Sequence, residues 1–219
     1  MKKFIFASLF FILMTASASL CAQVVTASEF FKSVSDYYAT FNDYEADVDI
    51  KIGKDAMTGK VSFKKPEMLR IDFTEPPEQC VVFNGDDLVI YLPGSAAILE
   101  QHVDTNLANT ATGLSLMRRY YTVQYKTGQD AVPLDSDSDE MVVKFVLYRR
   151  SSSEAFSQME VSILPDEKLI RRIEAQTPAG VTYVFDFFNY HINTNMSEKR
   201  FVYDPPSSAN NYNNFLLSE

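Results

Sequence analysis

The side chains able to do chemistry are few in this chain: two His, two Cys, and a surplus of carboxylates, 29 Asp+Glu against 20 Lys+Arg. Gly53 and Gly59-Lys60 superficially resemble a phosphate-binding loop. The glycines are one residue too far apart, however, and Val61 stands where a Mg²⁺-binding hydroxyl is needed, so the segment reads as a hairpin turn. Asp135, Asp137 and Asp139 alternate like the start of a calcium loop. Glu140 takes the place of its turn glycine and Val146 that of its bidentate carboxylate, which leaves a solvated acidic turn with at most weak Ca²⁺ association. His102 and His191 fall on separate expected strands with no partner at ligand spacing. Gly113-Leu114-Ser115 lacks the second glycine of a nucleophile elbow. The expectation is a protein that is not an enzyme and needs no metal or cofactor.

Composition narrows the class. A chain of 219 residues, 46% apolar, is long enough for one domain with a substantial core. A formal charge of −9 argues against nucleic acid as a partner, because a binder needs basic residues to displace counterions. Seven Gly and nine Pro are too few for collagen-like or low-complexity sequence. Seventeen Phe and twelve Tyr with no Trp point to a β-rich interior.

Residues 1–22 read as an export signal: Lys2-Lys3, an apolar run from Phe4 to Met14, then small residues to Ala22. The apolar run is too short to span a bilayer. Cleavage is expected after Ala22, with Ala18 as the alternative, which places the mature protein in the periplasm and makes it more acidic still. Cys21 offers a lipidation site, although the bulky Leu20 precedes it where a lipoprotein signal has a small residue. Cleavage after Ala22 leaves a single thiol, Cys80, expected as a small buried hydrophobe.

Two periods organise the rest. Phe30, Phe31, Val34, Tyr37, Tyr38 and Phe41 recur at helical spacing over 28–41, behind Thr26 or Ser28 as a cap. From Asp43 the period drops to two, with Tyr44, Ala46, Val48, Ile50 and Ile52 alternating with charged residues. Further strands are expected around 61–63, 69–73, 80–83, 88–92, 96–103, 122–127, 141–149, 156–164, 168–177, 180–192 and 200–203. Asn84-Gly85-Asp86 makes the clearest hairpin. A second helical stripe covers 107–120. The fold class is mainly β (α+β): an incomplete, strongly curved antiparallel barrel of about 10–11 strands with short helices over its mouth, since so many strands must curl, split or close. One domain spans 23–206, and the Asn- and Ser-rich residues 207–219 read as a flexible tail.

Gly59 to Pro66, Leu69-Arg70-Ile71-Asp72-Phe73 through Pro76, Asn84-Gly85-Asp86 and Tyr91-Leu92-Pro93 follow one order, closed by Tyr183 to Tyr190 and Phe201-Val202-Tyr203-Asp204-Pro205-Pro206. In that order the chain resembles the periplasmic outer-membrane lipoprotein carriers, the LolA-like family. The resemblance implies an incomplete β-barrel closed by helices. It also implies a monomeric shuttle that takes acylated lipoproteins from an inner-membrane transporter to an outer-membrane acceptor. The family's basic residue before the proline maps onto Lys65, where Arg is usual. Lys offers a point donor without Arg's planar fork. Arg70 is the alternative basic group, although its alternation with Leu69 and Ile71 points it outward.

On this reading the acyl-chain cavity is lined by Val48, Ile50, Leu69, Ile71, Phe73, Leu88, Ile90, Val143, Phe145, Leu147, Tyr183, Phe185 and Phe187, with Leu107, Leu114 and Met117 as a lid. Burial of acyl methylenes at about 0.8 kcal/mol each would give three enclosed long chains on the order of 30 kcal/mol. That exceeds the practical ceiling of roughly 18–21 kcal/mol, so some chains must sit shallowly if they are to leave. Alternatives are a lipid-anchored acceptor or sensor on the same fold, held through Cys21, and an enzyme acting on an envelope lipid.

Overall fold

A computed structural model describes residues 25–102 and 113–215. The expected export signal with Cys21, and the expected lid residue Leu107, lie outside the described residues.

Helix α1 (Ala27–Tyr38) starts where the sequence supplies a reciprocal cap. Thr26 Oγ1 accepts from the Glu29 amide at 3.2 Å, and Glu29 returns a carboxylate to the Thr26 amide at 3.1 Å. The helix ends at Tyr38, three residues before the expected end, because the chain tightens into a turn in which Thr40 and Phe41 donate to the Tyr37 and Tyr38 carbonyls.

Strands β1 (Asp43–Ile52), β2 (Asp55–Lys64), β3 (Met68–Glu75), β4 (Cys80–Phe83), β5 (Asp87–Leu92) and β6 (Ala97–His102) form a meander. The β4–β5 turn is set by Asn84, whose Oδ1 accepts from the Asp86 and Asp87 amides at 2.9 and 2.8 Å while Gly85 takes a positive φ of 107°. Helix α2 (Gly113–Tyr120) follows, then β7 (Tyr121–Tyr125), β8 (Val132–Pro133), β9 (Met141–Arg149), β10 (Gln158–Leu164), β11 (Leu169–Gln176), β12 (Thr182–Ile192) and β13 (Asn210–Asn213). The described strands make one sheet in the order β13-β6-β5-β4-β3-β2-β1-β12-β11-β10-β9-β7, with β8 also paired to β9. The two ends of that path do not pair, so the sheet is an open, curved structure and not a closed barrel.

Three expectations need correction. The described residues place 13 strands in the sheet where about 10–11 were expected. The two missed are the two-residue β8 and the Asn-rich β13, neither of which carries an alternating apolar pattern. Residues 207–219 are not wholly a tail: Asn210–Asn213 pairs with β6 in parallel, an exception to the antiparallel rule. Finally, the expected strand at 200–203 is a 3₁₀ turn (Glu198–Phe201) capped by Ser197.

Alternation gives the sheet two faces. Inside, α1 and α2 pack on β7 and β9–β12, where Phe31, Val34, Phe145, Leu147, Val161 and Ile163 are essentially inaccessible. Also inside, Ala46, Val48, Ile50, Val61 and Phe73 form a second cluster. Outside, residues 196–209 lie on β3–β6 and bury Cys80, Val82, Tyr91, Ile98 and Phe201. Polar anchors hold this outer strap: Asp43 accepts from the Met196 amide at 3.2 Å, and the Arg70 guanidinium donates to the Arg200 carbonyl at 2.9 Å.

Gly59 sits at the register shift between β2 and β3. A Cβ there would collide with the Asp72 carbonyl oxygen and approach the Phe73 Cα to 3.0 Å, both backbone atoms that cannot step aside. Gly59→Ala is expected to lose about 1–3 kcal/mol of stability, read as a lowered urea midpoint at unchanged m-value.

Candidate functional site

The inner face leaves space where the two helices meet the middle of the sheet. A pocket of about 180 Å³ is lined by Tyr38 of α1, Gly113, Leu114 and Met117 of α2, and Tyr44, Phe63, Ile170, Ile173, Phe187 and Tyr190 of the sheet. Its polar side-chain atoms are three phenol oxygens. A larger groove of about 560 Å³ lies on the outer face and is lined by polar groups such as Asn84, Asp87, Glu100 and His102. Its chemistry suits water and polar ligands; the inner pocket is the apolar one.

The sheet positions the pocket wall through pairing. Tyr44 lies opposite Phe63, and Val48 opposite Phe187, so β1 carries one apolar row between its two neighbours. The same row continues outward through Phe63–Leu69–Phe83–Leu88 and Val61–Ile71–Val81–Ile90. Leu69, Ile71, Val81, Leu88 and Ile90 are only half-buried.

The expected lining therefore separates into three groups. Phe187, Leu114 and Met117 line the pocket itself. Val48, Ile50, Leu69, Ile71, Phe73 and Phe185 belong to the adjoining inner-face cluster, and Leu88 and Ile90 extend it toward the sheet edge. Val143, Phe145 and Leu147 do not border the pocket: they are 0–2% exposed in the packed core with α1, and Tyr183 packs at the margin of that core. The reason is the placement of α1, whose Phe30 and Phe31 rings meet Phe145 at 5.4 and 5.8 Å and fill the space.

The two basic candidates part company. Lys65 ends the β1–β2 hairpin beside the last turn of α1, where its Nζ donates to the Ala39 carbonyl and its amide to the Asn42 carbonyl at 2.9 Å. A cation at a helix C-terminus also meets the negative end of the helix dipole. Arg70 faces the other way, on the outer surface, bound by its Nε and Nη2 to Asp72 at 2.7–2.9 Å. It cannot reach the pocket from there. His102 pairs with Asp87 at 2.8 Å at the outer groove, His191 is exposed, and Asp135 of the acidic turn pairs with Arg172 at 2.8 Å.

Sequence reasoning missed the tyrosines as a group. Tyr38 and Tyr190 close a ring on the backbone of Ile170: the Ile170 amide donates to Tyr38 Oη at 2.9 Å, and Tyr190 Oη donates to the Ile170 carbonyl at 2.9 Å. The two phenols also meet, at 3.3 Å. A signal was present, since Tyr38 and Tyr44 sit at the ends of apolar stripes. Nothing local revealed that those ends converge with Tyr190, 152 residues from Tyr38.

Burial disfavours the phenolate and pushes Tyr38 up to about 12, against the opposing pull of its hydrogen bonds. Tyr44 and Tyr190 are also raised well above the ordinary phenol value, again chiefly by burial. Below pH 10 both folded and unfolded chains keep these phenols neutral, so their contribution is fully present. As pH rises from 10 toward about 12 the unfolded chain ionises first, and stability falls. Denaturation midpoints should drop across that interval, and tyrosinate absorbance of the folded protein should lag behind that of the urea-unfolded chain. Tyr38→Phe strands the Ile170 amide and should cost about 1–3 kcal/mol at neutral pH in the same measurement.

The family model described as outer membrane lipoprotein carrier protein LolA matches residues 33–204. Outer-membrane lipoprotein carrier proteins of Pseudomonas paraeruginosa and Pseudomonas aeruginosa are similar at 23% identity over 153 residues, covering 68% of this chain and 67% of theirs. Among solved structures, an uncharacterized conserved protein from Thermus thermophilus superposes with a TM-score of 0.56 at 15% identity, covering 84% of this chain and 96% of that one. The Mycobacterium tuberculosis lipoprotein LppX gives 0.52 at 12% identity, covering 78% and 97%. The Pseudomonas aeruginosa MucA/MucB complex gives 0.50 at 12%, covering 84% of this chain and 62% of that one. At these identities the structures speak to fold alone.

Proposed function

The chain belongs to the LolA family of outer membrane lipoprotein carrier proteins, and on that premise we propose that it is a periplasmic carrier that shelters the acyl chains of lipoproteins. Residues 1–22 would direct export and be removed. An inner-membrane lipoprotein-releasing transporter would load the monomer and an outer-membrane acceptor unload it, with no catalytic step.

The observation that carries this reading is the apolar pocket under α2, whose wall residue Phe63 pairs with Leu69 at the start of the half-buried row Leu69, Ile71, Leu88 and Ile90. A dry cavity of about 150 Å³ holds a molecule the size of benzene. The closed form, at about 180 Å³, therefore accommodates the tip of one chain and not a whole lipid anchor. Loading requires the pocket to open into the apolar row beside it. Helix α2 is the element suited to move: it has eight residues, of which only Leu114 is buried, and helices that short are not stable without packing. Lys65, holding the end of α1 through the Ala39 carbonyl, would keep the other helix in place while α2 swings.

A second reading has one feature in its favour: Cys21, if acylated, would anchor the same fold to a membrane as an acceptor or sensor. The intact mass of the mature protein separates the two, since the carrier lacks Cys21 or bears it unmodified.

Native mass spectrometry of protein isolated from its own envelope should show bound acylated cargo. Ile71→Asp and Ile90→Asp should each cut uptake of a fluorescent acyl probe at least tenfold while circular dichroism stays unchanged. Full uptake by folded Ile71→Asp and Ile90→Asp, together with empty protein from the envelope, would overturn the carrier reading.

A further inference from the structure

One polar group of the pocket is left unused by the fold. Tyr38 and Tyr190 satisfy themselves on Ile170. The Tyr44 ring is held by four neighbours: it stacks on Phe63 at 5.2 Å and meets Tyr190 at 5.8 Å, Tyr38 at 6.1 Å and Phe41 at 6.2 Å. No hydrogen bond to its hydroxyl exists among the described residues. Yet no sealed side-chain oxygen among them lacks a partner, so the Tyr44 oxygen keeps some accessible surface. Tyr44 shares its face with Ala46, Val48 and Ile50 and lines the pocket, so that surface opens inward.

A phenol in apolar surroundings gains most from a hydrogen-bonding partner, because its neighbours supply none. The apolar walls call for hydrocarbon, while the lone donor calls for an uncharged acceptor at one end of it. A carboxylate is a poorer match, since the site offers it no counter-charge.

We propose that Tyr44 Oη donates a hydrogen bond to the ester or amide carbonyl oxygen at the head of a bound acyl chain, whose hydrocarbon runs along the inner-face row. This rests on the acyl-binding reading above and adds a chemical selection to it: acyl carbonyl compounds over bare hydrocarbon. Burial keeps the phenol protonated, so it remains a donor across the physiological range. The immobilised ring fixes where that carbonyl can sit and so sets the depth to which the chain enters.

Tyr44→Phe keeps the ring and removes the donor. Binding of methyl laurate and of the matching alkane, tridecane, is measured by displacement of an apolar fluorophore from wild type and Tyr44→Phe. Loss of one neutral hydrogen bond should weaken methyl laurate about fivefold to tenfold and leave tridecane within about twofold. Two ester-bearing ligands, a lysophospholipid and a diacylglyceryl-cysteine peptide, should weaken in parallel, and the tighter of them on wild type identifies the source of the chain. Unchanged methyl laurate affinity in Tyr44→Phe overturns the assignment while acyl binding stands. Equal loss of tridecane overturns it too, since the hydroxyl would then be shaping the pocket. A wild type that takes up neither ligand overturns the acyl-binding reading itself. If Tyr44→Phe does not fold, the infrared carbonyl stretch of methyl laurate bound to wild type decides: a shift to lower frequency is expected, and an unshifted band sinks the proposal.

Discussion

The structure turns on a mismatch of areas. Twelve strands in one path, at about 4.8 Å spacing, make an inner surface roughly 50 Å around. The two described helices, of 12 and 8 residues, are about 18 and 12 Å long. Helices of those dimensions can seal part of such a face and no more. They settle on β7 and β9–β12, where Phe31, Val34 and Leu114 meet Phe145, Leu147 and Val161 in a filled core. Curvature lets the remaining strands partly cover one another, but Leu69, Ile71, Leu88 and Ile90 stay half-buried. It is this partly covered apolar surface that the proposed acyl-binding role draws on.

The outer face shows how so long a sheet tolerates an incomplete interior. Its charged groups pair along and across strands in place of a continuous second layer. Arg70 and Arg200 converge on Asp72, with Arg200 also donating to Ser62 at 2.9 Å; Arg171 and Arg172 share Asp186, which is 7% exposed. The Arg70–Asp72 pair lies within β3, the Asp186 pairs join β11 to β12, and the Arg200 contacts fasten the 196–201 segment to the meander. Where that segment runs, the outer face becomes apolar and buries Cys80, Val82 and Tyr91.

Much of this was legible in the residues, and what was not has a physical cause. Alternation from Tyr44 to Ile52 fixed a strand and its buried face, and Asn84-Gly85-Asp86 fixed a hairpin, because both are local codes. The same code assigns a face without saying what lies opposite. Val143, Phe145 and Leu147 alternate as cleanly as Leu69 and Ile71, yet one set is buried in the core beneath α1 and the other stays half-buried at the edge of the second cluster. Periodicity predicted the outward turn of Arg70, and the Asp72 pair is its consequence. Strand β13 was invisible because its four residues are all exposed, and its place in the sheet comes from backbone pairing with β6. The tyrosine cluster joins α1, β1 and β12, a meeting of three segments that no window of sequence contains.

That cluster also bears on how a carrier can let go. Hydrocarbon burial is non-directional and accumulates with every methylene, so a pocket relying on it alone would grip longer chains without limit of depth. A donor fixed at one end changes the balance. It contributes a modest, directional term that does not scale with chain length, and it stops the head of the chain at a defined place. Specificity would then come from Tyr44 and retention from the apolar row, each adjustable without the other. On the proposed reading, a closed pocket of only about 180 Å³ would add the third element, since the empty protein could refill it with its own side chains and helix once cargo departs. Such a collapse would offset part of the loss of apolar contacts on unloading, and release would not have to expose the whole inner face to water.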